Sequence, residues 1–372
     1  MERRHYLNLA HSGLAMPIGT DLVLHEHEDH EAIVRDGTQL GELMLEAAGR
    51  FRTPLAFPVM NLELEKLHLL DLLQVETDDP ATFHFGGAPG ADMVHKLRER
   101  LAEPLSERMQ AVCGALQFLS THSILVPVGM CIGPFSLMSK LLSDPITPIA
   151  MAGMGLTAAE EPGIAAVEQV LEMATITIMS YLKAQIAAGA KAIFICEPAA
   201  NRVYLSPNQI ERGSDIFERF VMQSLLRIRH LLLENDVDLF LHDCGELSDH
   251  MVEQFARLDP AILSLGCSRV LWEDARLLPK DIVLFGNLPS KRFFSDSEIT
   301  VDELTRLGLE LVEKMNEVNH PFILGSECDI LNVPGCERAL HAKAHAIVEC
   351  GANEAEHYPA AREIAYDAVA NG

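Results

Sequence analysis

The sequence has few basic residues for its size. Its 372 residues include 29 Lys and Arg against 54 Asp and Glu, which gives a formal net charge of −25 at pH 7. A protein that neutralises nucleic-acid phosphates needs a basic face, so this balance argues against nucleic acid as a partner. Hydrophobic residues at 48% and charged residues at 22% are typical of a folded globular protein rather than a disordered or fibrous one.

Disulfide, secretion and membrane signals are also lacking. Eight cysteines in 372 residues are too few for a disulfide scaffold. The polar, charged start of the chain predicts no secretory signal. A long uncharged stretch, residues 123–139, contains two prolines and two glycines, which indicates a strand and loop rather than a membrane span. We therefore expect a cytoplasmic protein with no membrane partner, in which reduced cysteines are free to act as thiolate ligands.

Short apolar runs alternate with longer helical patterns from about residue 54 onward. Runs that lack polar alternation and end at turn signals are typical of parallel strands buried on both faces. The predicted strands are residues 55–60, 82–85, 124–128, 192–196, 237–242, 261–265, 282–286 and 322–325. Eight strands alternating with helices predict an α/β protein, a (β/α)8 TIM-type barrel.

The helical segments support the same fold. Apolar residues from Ile164 to Leu182 recur every three to four positions, and Thr300 with Glu303 forms a capping-box pattern that begins another helix. The chain shows no repeats or linker, so we predict a single domain over residues 1–372. In this interpretation residues 1–53 are an N-terminal helical extension, with a helix at about 40–51.

The residues most informative about function are His242, Cys244 and Cys328. His242 and Cys244 alternate at the end of a predicted strand and so project to the same side. Cys328 stands 84 residues after Cys244, just past the last predicted strand, and the C-terminal ends of barrel strands share one mouth. One imidazole and two thiolates are a zinc ligand set that leaves a position for substrate. The alternative is that both cysteines are ordinary small buried residues.

Glu197 is a further candidate, as a catalytic residue. It ends the predicted strand 192–196, and a carboxylate at the mouth end of a barrel strand is well placed to orient substrate or accept a proton. The alternative is a glutamate that only caps a loop. Asn201, Asn287 and Glu63 are candidates of the same kind.

Two histidine groups are interpreted as surface features. His25, His27 and His30 crowd one polar segment, which lacks the fixed geometry that a catalytic metal needs. His341 and His345 lie four residues apart on a predicted exterior helix, without the central glutamate of a metalloprotease motif.

The pattern His242-Asp243-Cys244 followed by Cys328 resembles the metal motif of zinc-dependent methyltransferases in the uroporphyrinogen decarboxylase superfamily. These include methylcobamide:coenzyme M methyltransferases and the methyltransferases of anaerobic demethylation systems. The likeness extends to residues 54–60, Gly133-Pro134-Phe135-Ser136, Gly286-Asn287-Leu288 and residues 322–328.

The resemblance implies zinc held by His242, Cys244 and Cys328, and transfer of a methyl group between a small molecule and a corrinoid. The sequence contains no Asp-x-His-x-x-Gly corrinoid motif, so we expect cobalamin to be carried by a separate corrinoid protein. A folate is the alternative acceptor. The small molecule is either a thiol that accepts the methyl group or a methylated donor such as an ether.

The chain departs from its relatives in one place. Some of them carry a further zinc-binding carboxylate about 22 residues after the first cysteine, where this chain reads Ser264-Leu265-Gly266-Cys267. Gly266 has no side chain to bind a metal. The fourth position is therefore open to Cys267, a nearby glutamate, water or substrate.

Two other functions compete with the methyltransferase. Uroporphyrinogen decarboxylase itself needs no metal and binds its substrate carboxylates with an arginine-rich N-terminal segment, whereas residues 17–29 here are acidic and contain no arginine. The other alternative is a non-catalytic binding subunit that keeps zinc as a structural ion. The sequence leaves open the small molecule, the corrinoid partner and the oligomeric state.

Overall fold

Eight parallel strands form the centre of the molecule, a computed structural model in which residues 3–352 are described. The strands are β1 (Ala15–Met16), β2 (Leu55–Ala56), β3 (Val126–Ile132), β4 (Ala192–Cys196), β5 (Asp238–Asp243), β6 (Ile262–Leu265), β7 (Val283–Leu288) and β8 (Phe322–Ser326). Their order in the sheet is β1-β8-β7-β6-β5-β4-β3-β2, the circular order of a (β/α)8 barrel opened between β1 and β2. The predicted fold class is confirmed.

Helices surround the sheet. They are α1 (Arg4–His11), α2 (Thr20–Leu24), α3 (His30–Ile33), α4 (Gly37–Arg50), α5 (Leu64–Leu73), α6 (Ala91–Arg100), α7 (Glu107–His122), α8 (Pro134–Leu141), α9 (Ile146–Gly153), α10 (Pro162–Ala187), α11 (Pro207–Glu211), α12 (Gln223–Glu234), α13 (Asp249–Ala256), α14 (Leu271–Asp274), α15 (Val301–Val318) and α16 (Glu337–Ala352). One π-helical turn, Glu218–Met222, precedes α12, and a short 3₁₀ turn, Ser290–Arg292, follows β7.

One predicted strand is wrong and one real strand lies elsewhere. Residues 82–85 form no strand; Phe85 makes only an isolated bridge to Leu142. The strand that completes the set of eight is β1, which lies inside the segment expected to precede the barrel. Its Ala15 pairs with Leu324 of β8. The pairing with β8 is what makes this segment a strand, and that contact joins distant parts of the chain. The single-domain interpretation remains a prediction, and residues 353–372 lie outside the described part of the chain.

The predicted helices are confirmed where the patterns were strongest. The Thr300 hydroxyl and the Glu303 carboxylate form a complete capping box at the start of α15. The predicted helix at 40–51 corresponds to α4, where Gly37 approaches Gly114 of α7 so closely that a Cβ would lie 2.7 Å from the Gly114 Cα. Within the described residues, α10 is long and apolar enough to cross a membrane, with a mean hydropathy of 1.2, but 61% of that window is buried inside the protein.

Helix α1 closes the N-terminal end of the barrel. The Tyr6 ring packs edge-on against Phe240 at 5.0 Å, and its hydroxyl donates to Asp238 at the start of β5. Arg3 donates to the backbone oxygens of Asp259 and Pro260, just before β6. Apolar side chains that alternate along the strands fill the barrel interior next to α1. The polar side chains of the interior therefore lie at the opposite, C-terminal mouth.

Candidate metal centre

The structure brings the three predicted ligands together at the C-terminal mouth. His242 lies on β5, Cys244 follows that strand directly, and Cys328 follows β8. One ligand atom from each residue lies within 4.8 Å of the others, and this is the one such group of three among residues 3–352. His242 points inward for the same reason as Phe240, because alternate residues of β5 face the barrel interior.

The imidazole of His242 is oriented for a ligand. Its Nδ1 is hydrogen-bonded to Ser264 Oγ at 2.9 Å, and Ser264 is its register partner on β6. Its Nε2 is buried and has no hydrogen-bond partner among the described residues. A metal-binding histidine is normally held through its other ring nitrogen, and an unpartnered buried nitrogen is costly. The donor set therefore fits a metal ion bound by Nε2 and two sulfurs.

Cys244 and Cys328 shift each other's pKa in opposite directions. The hydrogen bond from Cys328, together with His242 and Lys291, lowers the pKa of Cys244 well below that of a free thiol despite its burial. The same hydrogen bond to Cys244, with burial, raises the pKa of Cys328. Cys244 therefore ionises more easily than Cys328, and a bound cation would favour the ionised form of both, because metals bind the thiolate form.

Lys291 and Glu327 form a charged rim beside the thiols, which the sequence analysis missed. Lys291 Nζ lies 3.8 Å from Glu327 Oε2, and the Glu327 side chain is only 3% exposed. Burial alone would lower the pKa of Lys291, but the negative charges of Cys244 and Glu327 raise it. The sequence feature that could have identified Glu327 as a site residue is its position directly before Cys328.

Cys267 stands apart from the triad. Its backbone N–H donates to Glu327 Oε2 at 3.2 Å, and partial desolvation with a thiol hydrogen bond to Glu327 raises the pKa of Cys267 to about 12. Cys267 is therefore a neutral thiol on an exposed residue and lies outside the group of converging ligand atoms.

Glu197 holds the first turn of α8. Its Oε1 accepts from Ser136 N at 2.6 Å and its Oε2 from Phe135 N at 3.2 Å. A Cβ on Gly133 would lie 2.1 Å from the same carboxylate, which explains the glycine of Gly-Pro-Phe-Ser. Burial raises the pKa of Glu197 to about 7, against the effect of these hydrogen bonds. Both oxygens are occupied, so the geometry favours the capping alternative, and catalysis by Glu197 remains a prediction.

The other candidates have structural partners. Asn287 Nδ2 donates to the backbone oxygens of Gly266 and Arg269 and so ties the end of β7 to the loop after β6. Asn201 Nδ2 donates to Pro198 O within its own loop. Glu63 is exposed and lies 3.9 Å from Lys140.

The two histidine groups make pairwise surface contacts. His27 lies 3.2 Å from Glu46, and His341 lies 3.1 Å from Glu26. None of these histidines belongs to the group of converging ligand atoms found in the described residues.

A buried aspartate directly after Cys328 and a second one beside it were also missed. Asp329 follows Cys328 and is 5% exposed; Asp21 lies in α2, is 8% exposed and accepts from Asn332 N at 2.7 Å. Burial and the charge of Asp21 raise the pKa of Asp329 to about 7. They lie at opposite ends of the sequence, and the pairing of β1 with β8 brings the two segments together.

The fold and the site define a (β/α)8 barrel that carries a metal-type donor set at its C-terminal mouth. The profile of the family described as uroporphyrinogen decarboxylase (URO-D) matches residues 87–337, more than half of the chain. The chain belongs to the uroporphyrinogen decarboxylase family. This confirms the superfamily expected from the sequence.

Solved structures agree with the fold. A methyltransferase from Methanosarcina mazei superposes with a TM-score of 0.62 at 17% sequence identity, covering 93% of this chain and 98% of that chain. At this identity the likeness concerns the fold. No curated protein matches the chain in sequence.

Proposed function

We propose that this protein is a zinc-dependent methyltransferase that moves a methyl group between a small molecule and a corrinoid carried by a separate protein in the cytoplasm. The observation that carries the proposal is the convergence of His242, Cys244 and Cys328 at the barrel mouth, with the buried Nε2 of His242 left without a partner. The fold likeness to a methyltransferase from Methanosarcina mazei supports the same class.

The chain's own residues would hold the metal through His242 Nε2 and the sulfurs of Cys244 and Cys328. A bound zinc ion would either keep a small-molecule thiol in its thiolate form or polarise the leaving group of a methylated donor. Ser264 fixes the imidazole, and Lys291 balances the negative charge of the thiolates. Three protein ligands leave a position for the small molecule.

The donor set bears on the direction of transfer. Two thiolates and a neutral imidazole offset the charge of a zinc ion, which limits its Lewis acidity and keeps a bound thiol nucleophilic. This favours a thiol acceptor, whereas the wider likeness to demethylation enzymes favours a methylated donor. Both directions belong to the proposal.

The decarboxylase alternative fits the mouth poorly. A tetrapyrrole with many carboxylates needs cations there, but Asp21 and Asp329 are carboxylates, and Lys291 already faces Glu327. A structural zinc site would need a fourth protein ligand, and Cys267 stands outside the triad.

The test is metal content combined with methyl transfer. Protein grown with ample zinc should contain about one zinc per chain, and C244S or C328S should lose most of it while remaining folded. C113S is the matched control, because Cys113 lies on α7, away from the mouth.

Methyl transfer should require a corrinoid protein or added cobalamin, followed as a change in the corrinoid absorption spectrum. Metal-free wild-type protein would contradict the proposal. Release of carbon dioxide from uroporphyrinogen would instead support the decarboxylase.

A further inference from the structure

Asp329 is a buried carboxyl group that lacks adequate partners. It is 5% exposed, and no donor among the described residues meets either oxygen in hydrogen-bond geometry, although the backbone N–H groups of Met60 and Ile330 face it. Burying such a group without satisfying it is unfavourable. A group that occupies the mouth would be expected to supply the missing partner.

The groups around Asp329 indicate that a group bound there would be positively charged. Asp329 lies within electrostatic range of Asp21, Cys328 and the Cys196 thiol at the end of β4, all of which are acidic groups. No Lys or Arg of the described residues forms an ion pair with Asp329 or Asp21, and His25 Nδ1 lies 3.5 Å from Asp21. The nearby cation Lys291 faces Glu327 and Cys244 instead. Asp329 thus adjoins the thiol triad, with Asp21 beside it, and neither carboxyl group is paired with a Lys or Arg of the described residues.

We propose that Asp329, assisted by Asp21, is a binding subsite for the positively charged nitrogen of the small molecule that reacts at the metal centre. This inference rests on the proposed function, because it assigns the chemical class of that substrate. Charge-assisted hydrogen bonds from an ammonium group would satisfy the Asp329 oxygens, whereas an anionic substrate would meet two like charges. Because Asp329 directly follows Cys328, the nitrogen would lie a short chain away from the atom held at the metal.

The experiment measures thiol binding to cobalt-loaded protein at pH 8. Binding of a thiol at the open metal position changes the thiolate-to-cobalt absorption, which is a readout independent of turnover. Three probes of similar size are compared: cysteamine, which carries an ammonium group, neutral 2-mercaptoethanol, and 3-mercaptopropionate, which carries a carboxylate. We expect cysteamine to bind at least tenfold more tightly than 2-mercaptoethanol, and 3-mercaptopropionate to bind most weakly.

Variants test whether Asp329 causes this preference. D329N should remove the tenfold preference while cobalt content and 2-mercaptoethanol affinity stay near the wild-type values. D21N should reduce the preference severalfold, and it decides the question if D329N does not fold. E246Q is the matched control, because Glu246 is an exposed carboxylate two residues after Cys244, and it should keep the preference.

The outcomes separate this inference from the proposed function. Wild-type protein that binds no cobalt would overturn both, whereas cobalt-loaded protein that binds none of the three thiols would overturn only the inference. Cobalt-loaded protein that binds all three probes equally, or prefers the carboxylate, would overturn only the inference. A cysteamine preference that persists in D329N would mean that the amine chelates the metal, and loss of cobalt in D329N would make Asp329 a metal ligand; either result overturns the subsite.

Discussion

Replacing Ser264 by alanine should weaken metal binding without removing a ligand. Ser264 Oγ holds Nδ1 of His242 at 2.9 Å, and both residues are buried, with exposures of 0% and 1%. S264A leaves that nitrogen unpartnered and the ring free to reorient. Bulk water cannot easily replace the hydroxyl, because the Phe194 ring packs against the imidazole at 5.3 Å.

The expected loss follows from the role of such partners. Removing the group that orients a metal-binding imidazole costs about ten- to hundredfold in metal affinity, or about 1.4–2.7 kcal/mol. The barrel itself should remain folded, since the substitution removes one hydroxyl and no apolar contact. The unpartnered Nδ1 costs about 1–3 kcal/mol, so the Tm of the metal-free protein should fall by only a few degrees.

The assay is competition for zinc between the protein and a chromophoric chelator. S268A is the matched control: Ser268 is exposed at the same mouth, and its hydroxyl donates to Gly245 O rather than to a ligand. We expect the affinity of S268A to match that of the wild type. If S264A binds zinc as tightly as S268A, His242 does not depend on this hydrogen bond and the argument for an oriented imidazole fails.

The remaining predictions concern two buried glutamates. E197Q should retain zinc. If Glu197 moves a proton or orients substrate, the turnover of E197Q should be roughly ten- to ten-thousandfold lower than that of the wild type. Unchanged turnover would identify Glu197 as a cap of α8. Burial raises the pKa of Glu65 from its ordinary value near 4.5 to about 8. The folded state therefore binds this proton more tightly than the unfolded state does, and the free energy of unfolding should fall as pH rises from about 4.5 to about 8. Urea unfolding at pH 5.5 and pH 8 measures this change, and the free energy of unfolding should decrease less in E65Q than in the wild type. The exposed-site variant E63Q is the control and should behave like the wild type. Equal decreases in E65Q and the wild type would show that Glu65 does not titrate in this range.

Local patterns were sufficient for most of the fold. Strands β3 to β8 are apolar runs long enough to be recognised, and the Thr300–Glu303 capping box is a contact between neighbours in sequence. Residues 82–85 have a strand-like composition but find no continuous partner strand. β1 has only two residues, and its pairing with Leu324 and Gly325 depends on a contact across the whole chain.

The sequence by itself determined which residues could bind a metal. His242 and Cys244 alternate on one strand, Cys328 follows another, and a barrel brings strand ends to one mouth. Tertiary structure decided the rest, because the environment of a side chain depends on neighbours that are distant in sequence. It alone pairs Ser264 with His242, binds the Glu197 carboxylate to the first turn of α8, and places Asp21 beside Asp329.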